Sequence, residues 1–351
     1  VSNPNQWQPQ QYQAFQQQQQ YYQPRRTNWG LTAAILGGGA LLLVLVCCGG
    51  IAYIAQPPAA SAAAKEPFTF SEVAVPSFPD RGPLAPIDPQ VHSTTISLGA
   101  QGGFYSSPGM GGKLILYLPP GQHQPQSLAC ILITGAGSDL LTGMTLSEED
   151  EPEHLPYVEA GFAVLAYELD GPNLDDSGDA EAMKPAYEAF KASRAGLVNA
   201  RNALEYVLAK VPEVNPKKIF AAGHSSAATH ALLFAEHEPR LAGVIAYAPA
   251  VNLPKRFGLL LRVLATEMPG VVDFATQSSP HTHRERLKCP TFLFHAEDDS
   301  TCPIAETKAL KKQLEKQGTD VTLVTADSGD HYDSMIDEGI PSAIEWLSKR
   351  K

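Results

Sequence analysis

The sequence predicts an α/β domain with a mostly parallel central sheet and helices on both faces, preceded by a single transmembrane helix. Three observations carry this expectation. Short apolar, β-rich runs alternate with helix-length segments from residue 113 onward. An uncharged apolar stretch fills residues 31–55. A serine flanked by small residues joins one of the apolar runs to a helical pattern near the middle of the chain.

Residues 1–28 hold Gln-rich runs such as Gln16-Gln17-Gln18-Gln19-Gln20, interleaved with tyrosines and without aliphatic periodicity. Such a segment cannot repay the entropy of ordering and reads as a disordered tail. Residues 29–55 read as the membrane helix, since at about 1.5 Å per residue the run is long enough to cross a bilayer. The tail before it is too long, and the apolar run longer than an h-region, for a cleaved signal peptide. Arg25 and Arg26 lie on its N-terminal flank with Trp29 as an interface residue, against Lys65 on the other side. The positive-inside rule then leaves the N-terminus in the cytoplasm and the remainder periplasmic or extracellular. No Asn-x-Ser/Thr sequon is present, which favours a bacterial envelope. Residues 56–90, rich in Ala, Pro and Ser, read as a linker that becomes ordered before the sheet begins, and residues 91–351 as the catalytic domain.

At 351 residues with 44% hydrophobic content, the chain can bury one large core with appendages. All 37 acidic residues lie beyond the membrane segment against 24 of the 26 basic ones, a net charge of −13 there. That balance argues against nucleic acid as a partner. Of five cysteines, Cys47 and Cys48 fall in the membrane segment, Cys130 in an apolar run, and Cys289 and Cys302 at either end of a strand that holds them apart, so no disulfide framework is expected. No zinc spacing occurs. His281-Thr282-His283 and the acidic run Glu148-Glu149-Asp150-Glu151 both read as solvated loops, so no metal and no cofactor are expected.

Strand-like runs occupy residues 113–118, 128–133, 162–169, 218–222, 243–247, 291–295 and 321–325. The first two read as an antiparallel meander at the edge. Residues 181–211 place Tyr187, Phe190, Leu197, Ala200, Leu204 and Leu208 at helical spacing, a crossover helix that packs on the sheet. The apolar run 257–264 fits either a lid that lines a pocket or an ordinary covering helix.

Gly223-His224-Ser225-Ser226-Ala227 follows the run 218–222 and opens a helical pattern. A strand-to-helix turn this tight requires nearly bare residues two before and two after the serine, which Gly223 and Ala227 supply. It lifts the Ser225 oxygen to the positive end of the next helix. A serine nucleophile needs a base and an acid on later strand-end loops. The loop after 321–325 carries His331, and the loop after 291–295 carries Glu297-Asp298-Asp299 before Pro303. Ser226, next after the nucleophile, is expected to supply one backbone N–H to an oxyanion. The Thr134-Gly135-Ala136-Gly137-Ser138 loop lies near enough in pattern to supply another, and without G-x-G-x-x-G or a P-loop lysine it is no phosphate cradle.

From about residue 113 on, the chain resembles the α/β-hydrolases, and within them the catalytic domain of the prolyl-oligopeptidase and dienelactone-hydrolase-like group. Beyond the elbow, the resemblance rests on Ser279-Pro280 and on the run from Lys288 to Pro303, similar to the family's strand, His-Gly turn, acid and closing proline. Ala227, Ala228 and Ala296 stand where glycines are usual. The resemblance implies Asp299 as the acid and Ala136 as the second oxyanion donor. It also implies a serine hydrolase acting through an acyl-enzyme on a small-molecule ester, with a peptide substrate as the runner-up, and the run 31–55 would anchor it to the membrane. A third reading, a surface binding protein of the same fold without turnover, stays open.

Overall fold

The computed structural model describes residues 59–98, 108–109, 112–173 and 180–350. The expected Gln-rich tail and membrane helix lie outside them. Among the described residues no helix is long and apolar enough to cross a membrane.

Nine strands among the described residues form one sheet: β1 (Ala85–Asp88), β2 (Val91–Ser97), β3 (Lys113–Leu118), β4 (Leu128–Ile133), β5 (Ala163–Tyr167), β6 (Val214–His224), β7 (Gly243–Tyr247), β8 (Thr291–Ala296) and β9 (Val321–Ala326). Their spatial order is β1-β2-β3-β5-β4-β6-β7-β8-β9. β1, β2 and β3 pair antiparallel, as do β3 and β5, and every pairing from β5 across to β9 is parallel.

The helices are α1 (Glu151–Glu159), α2 (Ala180–Ala192), α3 (Leu197–Lys210), α4 (Ser225–His237), α5 (Leu253–Glu267), α6 (Val271–Gln277), the single turn α7 (Pro280–His283), α8 (Ile304–Lys316) and α9 (Ile340–Ser348). They cover both faces. Leu128, Cys130 and Leu132 of β4 enter one core cluster with residues of α2, α3, α4, α5 and α8. Ala129, Ile131 and Ile133 enter the other, with Tyr157 and Val158 of α1 and Trp346 and Leu347 of α9. This two-residue alternation between two cores explains why the central runs are apolar throughout. Each large side chain so buried contributes about 1.5–3 kcal/mol.

The parallel sheet with helices on both faces is the α/β-hydrolase arrangement. β5 lies on one side of β4 and β6 on the other, so the loops that leave β4 and β6 straddle a crevice at the point where the strand order reverses.

Several expectations are corrected. β3 and β4 are not an antiparallel meander, because β5 inserts between them and pairs with both. The sheet begins at Ala85, inside the expected linker 56–90, and that segment is docked: Phe68 is buried in the core, Phe78 packs edge-on against Tyr206, and Arg201 donates to the carbonyls of Phe70 and Val73 at 2.9 and 2.6 Å. Aromatic anchors among the prolines outweigh the flexible composition. The single crossover helix is two helices, α2 and α3, broken where Arg194, Ala195 and Gly196 take positive φ of 59°, 56° and 79°. Leu208 there is exposed rather than on the sheet. The apolar face of α5 turns Leu253, Phe257, Leu261 and Leu264 inward, as a covering helix does.

Candidate active site

β6 delivers its chain into α4 with no intervening loop, and Ser225 turns the corner with φ at 54°. A serine in the left-handed region is strained, and the close packing of the turn sustains it. A Cβ at Gly223 would lie 2.8 Å from Ala227 Cβ, closer than two carbons approach, so residue 223 must be glycine and residue 227 small. Ser225 Oγ has no hydrogen-bond partner among the described residues.

Asp299 follows β8 and His331 follows β9, and the structure brings them together: His331 Nδ1 donates to Asp299 Oδ2 at 2.8 Å. The other oxygen, Oδ1, accepts the N–H groups of Thr301 and Cys302 at 2.8 and 2.7 Å. His295 lies on the far flank of the carboxylate. Its Nε2 is 2.8 Å from the Cys302 carbonyl, which can only accept, so that nitrogen carries a hydrogen and shares it with Asp299 Oδ2 at 3.1 Å. Its Nδ1 accepts from the Thr307 hydroxyl at 2.9 Å. Burial alone would raise the Asp299 pKa, yet the hydrogen bonds from His295 and His331 prevail and hold it well below the usual carboxylate range. Burial pushes His331 the other way from a charged state, below its ordinary value, and the bond to Asp299 only partly offsets this. His331 Nε2 is buried and without a hydrogen-bond partner among the described residues.

The loop that carries His331 is clamped from the Asp299 side. Asp330, at φ 49°, donates its N–H to Asp298 Oδ1 at 2.9 Å, and its carboxylate accepts from Ser300 N–H at 2.7 Å and Ser300 Oγ at 3.0 Å.

Ser226 sits in the first turn of α4, where backbone N–H groups have no acceptor within the helix. Its hydroxyl accepts from the N–H groups of Gly137 and Ser138, both at 3.0 Å, and so ties the loop after β4 to the start of α4. The Gly137 N–H is thereby occupied, whereas Ala136 N–H has no acceptor among the described residues. A small pocket, partly open to solvent, is lined by Leu140, Leu169, Phe190, Ala195, Leu233 and Leu253 together with Gly135 and Ser226.

In the acidic run Glu148 and Glu149 are exposed, as expected from their charge, but Asp150 is not. Asp150 is buried, closes a capping box with Ser147, stands beside Gly135, and is pushed up by burial to about 6. His283 is likewise buried, against His237. Among the described residues no group of three or more His, Cys, Asp or Glu side chains is arranged to hold a metal ion. The described cysteines are free, and burial raises the Cys130 thiol to about 12. His230 bonds the Ala195 carbonyl and the Tyr167 hydroxyl, a core role away from Ser225. Sequence reasoning gave His295 no role, weighed Asp298 only as the alternative to Asp299, and set His224 aside as unable to replace His331. The first two adjoin Asp299 in the motif that carried the resemblance; nothing in the sequence pairs His224 with the loop at His331.

The sequence profile of the dienelactone hydrolase family matches residues 154–331, half of the chain, a span that includes Ser225, Asp299 and His331. No curated protein matches significantly. Among solved structures, an acetyl xylan esterase from Paenibacillus sp. R4 superposes with a TM-score of 0.55 at 17% identity, over 75% of this chain and 87% of that one. An acylaminoacyl peptidase from Pyrococcus horikoshii superposes with a TM-score of 0.51 at 13% identity, over 68% of this chain and 38% of the peptidase. Likenesses at such identities establish a shared fold.

Proposed function

The chain belongs to the dienelactone hydrolase family, and from that premise we propose that it is a serine hydrolase that cleaves carboxylic esters through an acyl-enzyme on Ser225. The observation that carries this reading is the Asp299–His331 bond, which leaves His331 Nε2 bare, in a domain whose strand-to-helix turn holds Ser225 in the left-handed region.

Ser225 Oγ attacks the ester carbonyl as its proton passes to His331 Nε2. Asp299 holds the ring in the tautomer that keeps Nε2 bare, and stabilises the imidazolium once formed. The N–H groups of Ser226 and Ala136 meet the oxyanion. His331 then returns the proton to the departing alkoxide, and a water molecule, deprotonated by the same nitrogen, releases the acid and restores Ser225. Because the leaving oxygen must reach His331, the acyl group points away from it, toward the cavity at Gly135, Ser226 and Leu233.

The uncharged run 31–55, with Arg25 and Arg26 before it, supports a single-pass anchor that holds the catalytic domain outside the cytoplasm. The test is labelling of the full chain by a fluorophosphonate probe. The wild type is expected to label and Ser225→Ala, folded, to remain unlabelled. Labelling of the variant would remove Ser225 from the role, and an unlabelled wild type would favour a binding protein. Turnover of p-nitrophenyl esters against peptide p-nitroanilides separates esterase from peptidase.

A further inference from the structure

His224 is the last residue of β6, next to Ser225, and the acyl-transfer scheme gives it no role. Its side chain is 5% exposed, and that of Glu153 on α1, its neighbour, 8%. His224 Nε2 lies 2.9 Å from the main-chain oxygen of His331. A carbonyl only accepts, so this nitrogen carries a hydrogen. Nδ1 faces Glu153 Oε1 at 3.3 Å, without the alignment of a hydrogen bond, and the carboxylate borders the ring in a buried contact. The imidazole also lies against the His331 ring, centroids 4.6 Å apart, and Tyr332 adds an edge contact at 5.8 Å.

His331 needs such support. It follows Gly329 and Asp330, both at positive φ, and its own ring is bonded only at Nδ1, so rotation about that bond re-aims Nε2. The Asp298 and Ser300 clamps hold residue 330, one step short of it. The contacts of His224 reach residue 331 itself.

We propose that Glu153 and His224 form a second carboxylate–histidine pair that positions the base: Glu153 orients the His224 ring, and His224 fixes His331 through its main-chain oxygen and its ring face. This rests on the reading of His331 as the base. Neither residue touches the reacting atoms, so both are positioning residues. The titratable groups that face this assembly are Asp299 and His295 from β8 and its following loop, which act on His331, and Asp150 just before α1, His154 and Tyr157 of α1 and Tyr247 of β7, which face Glu153.

The experiment is a double-mutant cycle on the full chain with p-nitrophenyl acetate, read as separate kcat and KM. His224→Ala and Glu153→Ala are each expected to lower kcat by roughly 10–100-fold, the cost of a misplaced catalytic group, with KM little changed. The double variant should be no slower than the worse single one, because the two residues act as a unit. His224→Gln keeps an N–H for the His331 carbonyl and should recover most of the plateau rate. That variant should also shift the His331 titration, followed by ring-nitrogen NMR, to higher pH, since the histidine that disfavours charge on His331 is gone; a purely structural loss would not. Additive losses, or an unchanged rate in a folded Glu153→Ala, would overturn the pair. If the wild type shows neither turnover nor fluorophosphonate labelling, the serine-hydrolase reading fails. The NMR arm then decides the pair alone: an unmoved His331 titration in His224→Gln overturns it.

Discussion

Asp298 and Asp299 are adjacent and hold the same loop by different parts. Asp299 accepts from the His331 ring at 2.8 Å, and Asp298 accepts from the Asp330 backbone at 2.9 Å. One carboxylate therefore sets the tautomer of the histidine and the other the path of the chain that carries it.

The two are separable by amide substitution. Asp299→Asn removes the charge and presents the wrong hydrogen-bonding pattern to Nδ1, so kcat should fall by about 10⁴-fold, as when a triad carboxylate is replaced by its amide. Asp298→Asn retains an oxygen that can accept the Asp330 N–H, and should cost less than about tenfold. Steady-state kinetics on a small activated ester rank the two; the reverse ranking would transfer the acid's role to Asp298.

The pH dependence follows from burial of His331. In the proposed mechanism His331 works only when neutral, and burial lowers its pKa from 6.5. The acid limb of kcat/KM is therefore expected below pH 6.5, with full activity kept above it. A limb above pH 6.5 in a rate profile would contradict this environment for the ring.

Ser226→Ala deletes the acceptor of two backbone N–H groups, those of Gly137 and Ser138. Gly137 is exposed and Ser138 half-buried, so water replaces part of the loss and the cost stays below the roughly 1–3 kcal/mol of a fully buried unmade donor, but the loop that offers Ala136 N–H loses its tie to α4. Stability to urea and kcat should both fall, while fluorophosphonate labelling of Ser225 persists at a reduced rate. Loss of labelling altogether would assign the Ser226 hydroxyl a more direct part.

His154 is buried with both ring nitrogens unpartnered, and burial lowers its pKa to about 4. The unfolded chain binds a proton there from pH 6.5 downward and the folded chain does not, so this histidine weakens the fold as the pH falls from about 6.5 to 4. His154→Phe removes the effect. Its stability advantage over the wild type should widen across that window by up to about 1.4 kcal/mol per pH unit, measured by urea unfolding at several pH values. A constant difference would place His154 in contact with water.

The central strands and the elbow were legible because their signals are local. Apolar runs bounded by turn residues marked β4 through β9 to within a few residues, and Gly223 and Ala227 announced a tight turn. β1 and β2 were missed because they lie at the sheet's margin, where Val91–Ser97 carries His92, Ser93, Thr95 and Ser97 at half-buried or exposed positions. The break between α2 and α3 was hidden because the apolar spacing continues through it. The preference for Asp299 over Asp298 came from family likeness, and the contact of Asp298 with the Asp330 backbone needed coordinates. Glu153 beside His224 had no signal at all, since α1 and β6 meet only in the folded sheet.

Among the described residues β9 is one of the sheet's two edge strands, paired to β8 alone. Synthesis proceeds from the N-terminus, so β6 and the elbow leave the ribosome well before β9 does. His331 follows β9 and is held by Asp299 from the loop after β8, so its place depends on the last strand to be made. On the proposed mechanism, a translation product that ends before β9 carries Ser225 without a base and is expected to be inert.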